Sequence, residues 1–310
     1  MKRSLKAFEV DVNGKPFDYR IGGDVNLDTV RKFFGSTYGI KKLWNGGRHV
    51  LGILTNGDDK LFLKLSTTIG ISELTKNEYA WNELFNKQIS PASPFAVPEN
   101  IEQGYFTDEQ YYFIARLFTG IPLASLSESS SISPELIRST TDLINFSEVI
   151  SVLRVDDLTD HRTVFLTKVR AWYEAVPEGV RDTYHVSDLW SQVESGTGIL
   201  DKKCRHGDFT PWHMIRLDNG KLGLLDGEHF LRGGVEYYDM CYFIQRVFTV
   251  LEAPDTAKRV LHTLLERGYD KEKLRVVLAS RAIGGYLDAS LAFASDLSSE
   301  MAFQAWVLSL

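Results

Sequence analysis

Two aspartates, Asp208 and Asp226, flank the stretch of this chain best suited to chemistry. The first stands in His206-Gly207-Asp208-Phe209-Thr210-Pro211-Trp212-His213 and is followed by the apolar pair Met214-Ile215. A turn, Asp218-Asn219-Gly220-Lys221, leads to a second apolar run, Leu222-Gly223-Leu224-Leu225, which ends in Asp226-Gly227-Glu228. Asn-Gly between two apolar runs is a strong hairpin signal. The pattern reads as loop, strand, tight turn, strand, loop, and the hairpin is expected to bring Asp208 and Asp226 together. Paired carboxylates can hold a divalent metal through hard oxygen ligands. Alternatively, one carboxylate positions a hydroxyl or takes its proton while the other holds the metal. Either motif alone would also suit an ordinary hairpin with acidic turn residues.

Several elements upstream could position a partner for these acids. Phe8, Val10 and Val12 alternate with polar residues up to Asn13-Gly14, and Phe17, Tyr19 and Ile21 alternate after it, which predicts an N-terminal hairpin. Asn26 to Phe34 reads as a short helix stopped by Gly35. Gly46-Gly47-Arg48 precedes the apolar run Val50 to Leu54, Asn56-Gly57 turns the chain, and Leu61 to Leu65 returns with Lys64 inside it. A strand alternates faces, so a lone lysine there is also compatible with a solvent-facing position. Leu74, Trp81, Leu84 and Phe85 give the next helix an apolar side and place Glu73 and Glu78 on it. Pro91 to Pro98 reads as a loop. Tyr111 to Leu117 reads as a buried strand running into Thr119-Gly120-Ile121-Pro122-Leu123. Ser125 to Ser133 reads as a connector, with Ser133-Pro134-Glu135 opening a helix. From Leu136 onward the spacing is mostly helical, broken by the polar segment Asp156 to Arg162, and it is helical again from Thr256 to Leu310.

The core segment resembles the aminoglycoside phosphotransferase and choline kinase family, whose fold is similar to that of protein kinases. That family reads His-Gly-Asp, four residues, Asn, and later Ile-Asp-Trp-Glu. Here the corresponding residues are His206-Gly207-Asp208, then His213, then Leu225-Asp226-Gly227-Glu228. The resemblance implies an α+β, bilobal protein-kinase-like fold, with a small antiparallel-sheet N-lobe over residues 1–117 and a mostly helical C-lobe over 118–310. It implies Asp208 as catalytic aspartate and Asp226 as metal ligand, with His213 at the position of a second ligand. Lys64, braced by Glu78, matches the lysine that holds ATP phosphates, and Glu73 is the weaker candidate for the brace. Gly46 and Gly47 would lie over the phosphates, where glycine lets backbone N–H groups approach oxygen. Ala115 and Leu117 would lie beside the adenine. Asp239 falls where the family braces its catalytic loop, and His206 is expected to support that loop by packing and hydrogen bonding. The implied activity moves the γ-phosphate of ATP or GTP to a hydroxyl of a small molecule of aminoglycoside, amino alcohol or sugar type, with Mg2+ or Mn2+ as cofactor. Imidazole suits softer metals than Mg2+, so His213 and Gly227 also admit the alternative of a catalytically weak or inactive kinase-like protein that binds nucleotide or a partner.

Composition agrees with a globular chain. It has 310 residues, 44% hydrophobic and 25% charged, with a net charge of −6. That balance argues against nucleic acid as a partner. The two cysteines, Cys204 and Cys241, form no metal-type cluster or disulfide framework, which points to a reducing cytoplasm. The basic start, Met1 to Lys6, lacks the apolar stretch of a signal peptide, and no run approaches the roughly 20 apolar residues of a membrane span. Neither the acceptor nor the oligomeric state is encoded in a motif.

Overall fold

A computed structural model of the chain describes residues 5–125, 134–154 and 156–310. Most of the serine-rich connector, including the capping Ser133, and Met1 to Ser4 of the basic start lie outside the described residues. Contacts group the chain into two compact units, one of residues 1–121 with 215–230, the other of 122–214 with 231–310. The sequence reading draws a single division after residue 117, whereas the contacts place nearly all of the Asp226 hairpin with the N-terminal residues.

The first unit opens with the expected hairpin, strands β1 (Glu9–Val12) and β2 (Lys15–Asp18), turned through Asn13 and Gly14 at positive φ. Helix α1 (Leu27–Phe34) starts where Asn26 accepts hydrogen bonds from the N–H groups of Asp28 and Thr29. Strands β3 (Gly39–Asn45), β4 (His49–Asn56) and β5 (Asp59–Ser66) then run antiparallel, followed by helix α2 (Ile69–Gln88). The proline-punctuated segment contains a two-residue strand, β6 (Phe95–Ala96). Strands β7 (Asn100–Tyr105) and β8 (Tyr111–Arg116) complete a five-stranded antiparallel sheet in the order β3-β4-β5-β8-β7.

Alternation along β5 decides where its lysine goes. Leu61, Leu63 and Leu65 join Val30 and Phe34 of α1 in one buried cluster. Lys64, one residue out of phase, therefore faces the other side of the sheet. Helix α2 packs against β5 and β8, so a strand lysine that would ordinarily reach solvent is only 7% exposed.

Short strands β9 (Gly120–Pro122), β11 (Met214–Leu217) and β12 (Leu222–Leu224) form a second sheet with β6, in the order β6-β12-β11-β9. The hairpin read from Asn219-Gly220 is the β11–β12 pair, and β12 runs parallel to β6.

The second unit is mainly helical: α3 (Pro134–Arg138), α4 (Thr140–Ser151), α5 (His161–Ala175), α6 (Glu178–Thr183), α7 (Val186–Gly196), α8 (Tyr238–Thr249), α9 (Pro254–Glu266), α10 (Lys271–Leu291) and α11 (Ser298–Ser309). One antiparallel pair, β10 (Lys202–Arg205) with β13 (Leu231–Val235), stands among them. Helix α10 is its axis, with α5, α7, α8 and α11 packed against it and Val277, Ile283 and Tyr286 fully buried. No helix among the described residues is long and apolar enough to cross a membrane.

Candidate active site

In the first unit the sheet and α2 assemble a buried charge network. Lys64 Nζ donates to Glu78 Oε2 at 2.5 Å and to Asp226 Oδ1 at 2.6 Å, with Glu228 Oε2 3.7 Å away. Glu78, on the face of α2 turned to β5, is therefore the brace. Glu73 pairs instead with Lys76 on the surface. Burial alone would lower the lysine's pKa, but the attraction of Asp226, Glu78 and Glu228 outweighs it and raises it, so the ammonium stays charged. Glu78 is pushed up to about 7, first by burial and then by its acidic neighbours, against the pull of Lys64.

Asp226 sits at φ 64°, in the left-handed region, at the head of a tight turn formed by Gly227–His229. The turn is pinned from α2, where Asn77 Nδ2 donates to the carbonyls of Glu228 at 3.0 Å and Phe230 at 2.8 Å. Gly227 has a packing reason as well. A Cβ at this position would fall 2.2 Å from Cδ1 of Trp81. The indole comes from α2 and lies against Phe230. The family's tryptophan at this position has no room in this chain, because a tryptophan from the helix already covers the turn.

Glu228 is clasped by Arg48. Nη1 meets Oε1 at 2.7 Å and Nη2 meets Oε2 at 3.1 Å, while Arg48 Nε donates to the carbonyl of Tyr19 at 2.9 Å. Burial and the Asp226 charge would raise the Glu228 carboxyl, but Lys64 and Arg48 hold it down, at about 2. Arg48 and Glu228 are thus paired with each other.

The glycine turn departs from its expected form. Gly46 N–H donates to the His49 carbonyl at 2.8 Å, Gly47 N–H to Asn45 Oδ1 at 2.7 Å, and Arg48 N–H to the Gly46 carbonyl at 3.2 Å. All three donors are committed within the turn. A Cβ at Gly22 would lie 2.0 Å from the Gly47 carbonyl oxygen, so the N-terminal segment runs directly against this turn. The adjacent Gly22-Gly23 pair was a readable signal for that contact, and sequence reasoning passed over it. The strand expected beside adenine is similarly occupied. Ala115 is paired on both sides, with Phe62 of β5 and Asn100 of β7, and Leu117 N–H donates to the Lys60 carbonyl at 3.0 Å. That bond extends the sheet pairing past Arg116.

In the second unit the His-Gly-Asp segment is a braced loop. Asp239, at the start of α8 and 5% exposed, accepts from the N–H of His206 through Oδ2 and of Gly207 through Oδ1, both at 2.8 Å. Gly207 needs φ 85°, a conformation that glycine adopts without strain. Burial lifts the Asp239 carboxyl to about 6, against the pull of those N–H groups. His206 is fully buried, and its Nδ1 accepts from Asp208 N–H at 3.4 Å, so it supports the loop from within. Phe209 anchors the loop between Phe146 and Phe243.

These contacts leave the Asp208 side chain 17% exposed. His213 turns back toward it, with Nδ1 3.2 Å from the Asp208 carbonyl oxygen and 3.6 Å from Oδ2. The carbonyl can only accept, so Nδ1 carries the proton in that bond, and in the neutral ring Nε2 then holds the lone pair. Among the expected site residues, the first unit brings together Lys64, Glu78 and Asp226, and the second brings together Asp208 and His213.

No protein-family model matches the chain, and no curated protein sequence matches it. Solved structures do. Aminoglycoside phosphotransferase APH(4)-Ia superposes with a TM-score of 0.67 at 14% identity, over 92% of this chain and 99% of that one. A thermostable mutant of that enzyme, in a ternary complex with ADP and hygromycin B, gives 0.66 at 13% identity over 91% and 97%. The GDP complex of aminoglycoside 2'-phosphotransferase-IIIa gives 0.59 at 15% identity over 91% and 96%. The chain thus has an aminoglycoside-phosphotransferase-like kinase fold, with an antiparallel-sheet N-terminal part and a helical C-terminal part.

Proposed function

Starting from the fold of the aminoglycoside phosphotransferases, we propose that this chain transfers the γ-phosphate of ATP or GTP to a hydroxyl of a small molecule. The observation that carries this reading is the buried Lys64, held by Glu78 and Asp226 in a strand where a lysine would otherwise face solvent. A fixed cation is what phosphoryl transfer asks of a protein, together with alignment of the acceptor. In this reading Lys64 holds nucleotide phosphate and Glu78 fixes its direction. Asp208 orients the acceptor hydroxyl and takes its proton as the new O–P bond forms and the bond to the nucleoside diphosphate breaks.

Asp226 would offer carboxylate oxygen to Mg2+, a donor chemistry that fits a hard cation. The Nε2 lone pair of His213 adds a softer donor, which fits Mn2+ better. The bound metal would neutralise phosphate charge. We also propose a cytoplasmic setting, supported by two buried cysteines that are not disulfide-bonded.

The test is transfer of labelled γ-phosphate to a panel of hydroxylated acceptors. Asp208→Asn should lower the rate by about 10²–10⁴, the usual contribution of a positioned proton acceptor. Undiminished transfer by that variant would overturn the assignment. A second reading, a nucleotide-binding protein without turnover, draws support from the glycine turn, whose N–H groups are already committed. Nucleotide binding with no transfer to any acceptor would favour it.

A further inference from the structure

The helical unit holds a second concentration of charge that the phosphotransfer residues do not use. Arg205, at the end of β10, lies face-on to the Tyr238 ring, 3.6 Å from its centroid. Arg281 of α10 is 4% exposed; it lies 3.9 Å from the Tyr242 ring centroid and 4.9 Å from that of Trp172. Its Nη1 donates to the Tyr238 hydroxyl at 2.8 Å. Lys168 of α5 lies over the same Trp172 ring, 6.0 Å from its centroid.

The two guanidinium groups raise the cost of charging Lys168. Burial, then Arg205, then Arg281 push the Lys168 ammonium down to about 8. No carboxylate is within ion-pair distance of Arg205 or Arg281 among the described residues. Asp239, the acid that acts on Arg205 electrostatically, is already bound to two backbone N–H groups. Nε and Nη1 of Arg205 and Nε of Arg281 are buried without a hydrogen-bond partner among the described residues. The nearby Arg246 is different, being paired with Asp288 at 2.6 Å.

The backbone makes room for this arrangement. A Cβ on Gly234 would fall 2.6 Å from Cδ of Arg205. Aromatic faces offset part of the cost of burying guanidinium groups, but they leave the N–H donors unanswered. Guanidinium N–H groups suit the oxygens of carboxylate and phosphate, which they can bind two at a time.

We propose that Arg205, Arg281 and Lys168 form an oxyanion-binding site, and that the acceptor is a hydroxylated molecule carrying a carboxylate or a phosphate. The site is near the proposed proton acceptor. Arg205 precedes Asp208 by three residues, and the Tyr242 hydroxyl lies in the field of both Asp208 and Arg281. The acceptor half of the proposal rests on the phosphotransferase reading; the anion site does not. An anionic acceptor would distinguish this chain from its structural neighbours, among them complexes with hygromycin B and with kanamycin.

The test uses the whole chain and titration calorimetry with glucose, its 2-amino form, its 6-carboxylate and its 6-phosphate, with inorganic phosphate as control. The anionic sugars should bind at least tenfold more tightly than the neutral and amino sugars, and whichever of the two binds better identifies the oxyanion. Lys168→Gln on the half-exposed face of α5 should lower the affinity for that sugar about tenfold and leave the ATP-induced thermal shift unchanged. Lys168→Met serves if the glutamine variant fails to fold. Equal affinity for all four sugars, tighter binding of the amino sugar, or anion binding unaffected by loss of the lysine charge would overturn the site. Inorganic phosphate binding as tightly as the sugar phosphate would overturn the acceptor assignment. Anion binding without any ATP-induced shift would sink the phosphotransferase reading and leave the anion site in place. An ATP shift with no anion binding would do the reverse.

Discussion

At Asp239 two backbone N–H groups converge on one buried carboxylate. Asp239→Ala should therefore destabilise the fold by about 2–3 kcal/mol, as two buried donors lose their partner, and should lower transfer by loosening the loop that carries Asp208. Chemical denaturation together with turnover measures both effects. The pH dependence has a definite sign. The Asp239 carboxyl rises from its ordinary 3.8 to about 6 in the folded chain, so between those values the folded state binds more protons than the unfolded one. Stability contributed by this group is complete below about pH 3.8, declines as pH rises to about 6 and is level above. Urea unfolding at several pH values should show that piece of the slope in the wild type and not in Asp239→Asn. At this scale the sequence was legible at Asp239, whose hydrogen bonds brace the loop as expected. Lys64 and the glycine turn were harder. A strand lysine is decided by what covers its face, and a glycine pair by where its N–H groups go. Neither property is carried by the residues themselves.

Helix α2 and the turn after Asp226 form one mechanical piece. Trp81 fills the space over Gly227, and Asn77 ties the following carbonyls to the same helix. Gly227→Ala should cost about 1–3 kcal/mol through overpacking against the indole. In a Trp81→Leu background the same change should cost less, a coupling that a double-mutant cycle of unfolding free energies reads directly. The Arg48–Glu228 clasp links the β3–β4 turn to this piece. Glu228→Gln removes its charge while keeping its shape, and should raise the KM for nucleotide several-fold by freeing the turn, with a smaller change in kcat. An unchanged KM would mean that the turn does not report to the nucleotide. The β11–β12 hairpin was readable from Asn219-Gly220 because its signal is local. The parallel pairing of β6 with β12 was not, because it joins residues more than a hundred positions apart through two-residue segments with no alternating pattern.

Over the molecule as a whole, a net charge of −6 hides opposite local balances. Three carboxylates surround Lys64 and Arg48 in one unit, while three cations cluster around Tyr238 and Trp172 in the other. Nucleotide at about 100 times its dissociation constant adds roughly 2.7 kcal/mol of stability. A thermal-unfolding midpoint should therefore rise with ATP and divalent metal, more with Mn2+ than with Mg2+ given the imidazole of His213, and the metal-dependent part should vanish in Asp226→Ala. A shift indifferent to metal would place the nucleotide somewhere other than at this acid.

The first unit is also discontinuous along the chain. Its residues 1–121 contain Lys64 and Glu78, whereas Asp226 and Glu228 arrive with residues 215–230. On a ribosome adding about 5–20 residues per second, the first unit waits on the order of ten seconds for the β11–β12 hairpin and two of its carboxylates. During that interval the lysine has Glu78 alone, and Arg48 has no glutamate to hold. The charge network closes only when the chain is about three-quarters made, so a nascent chain stalled short of residue 230 should lack the network whatever sheet it has already formed.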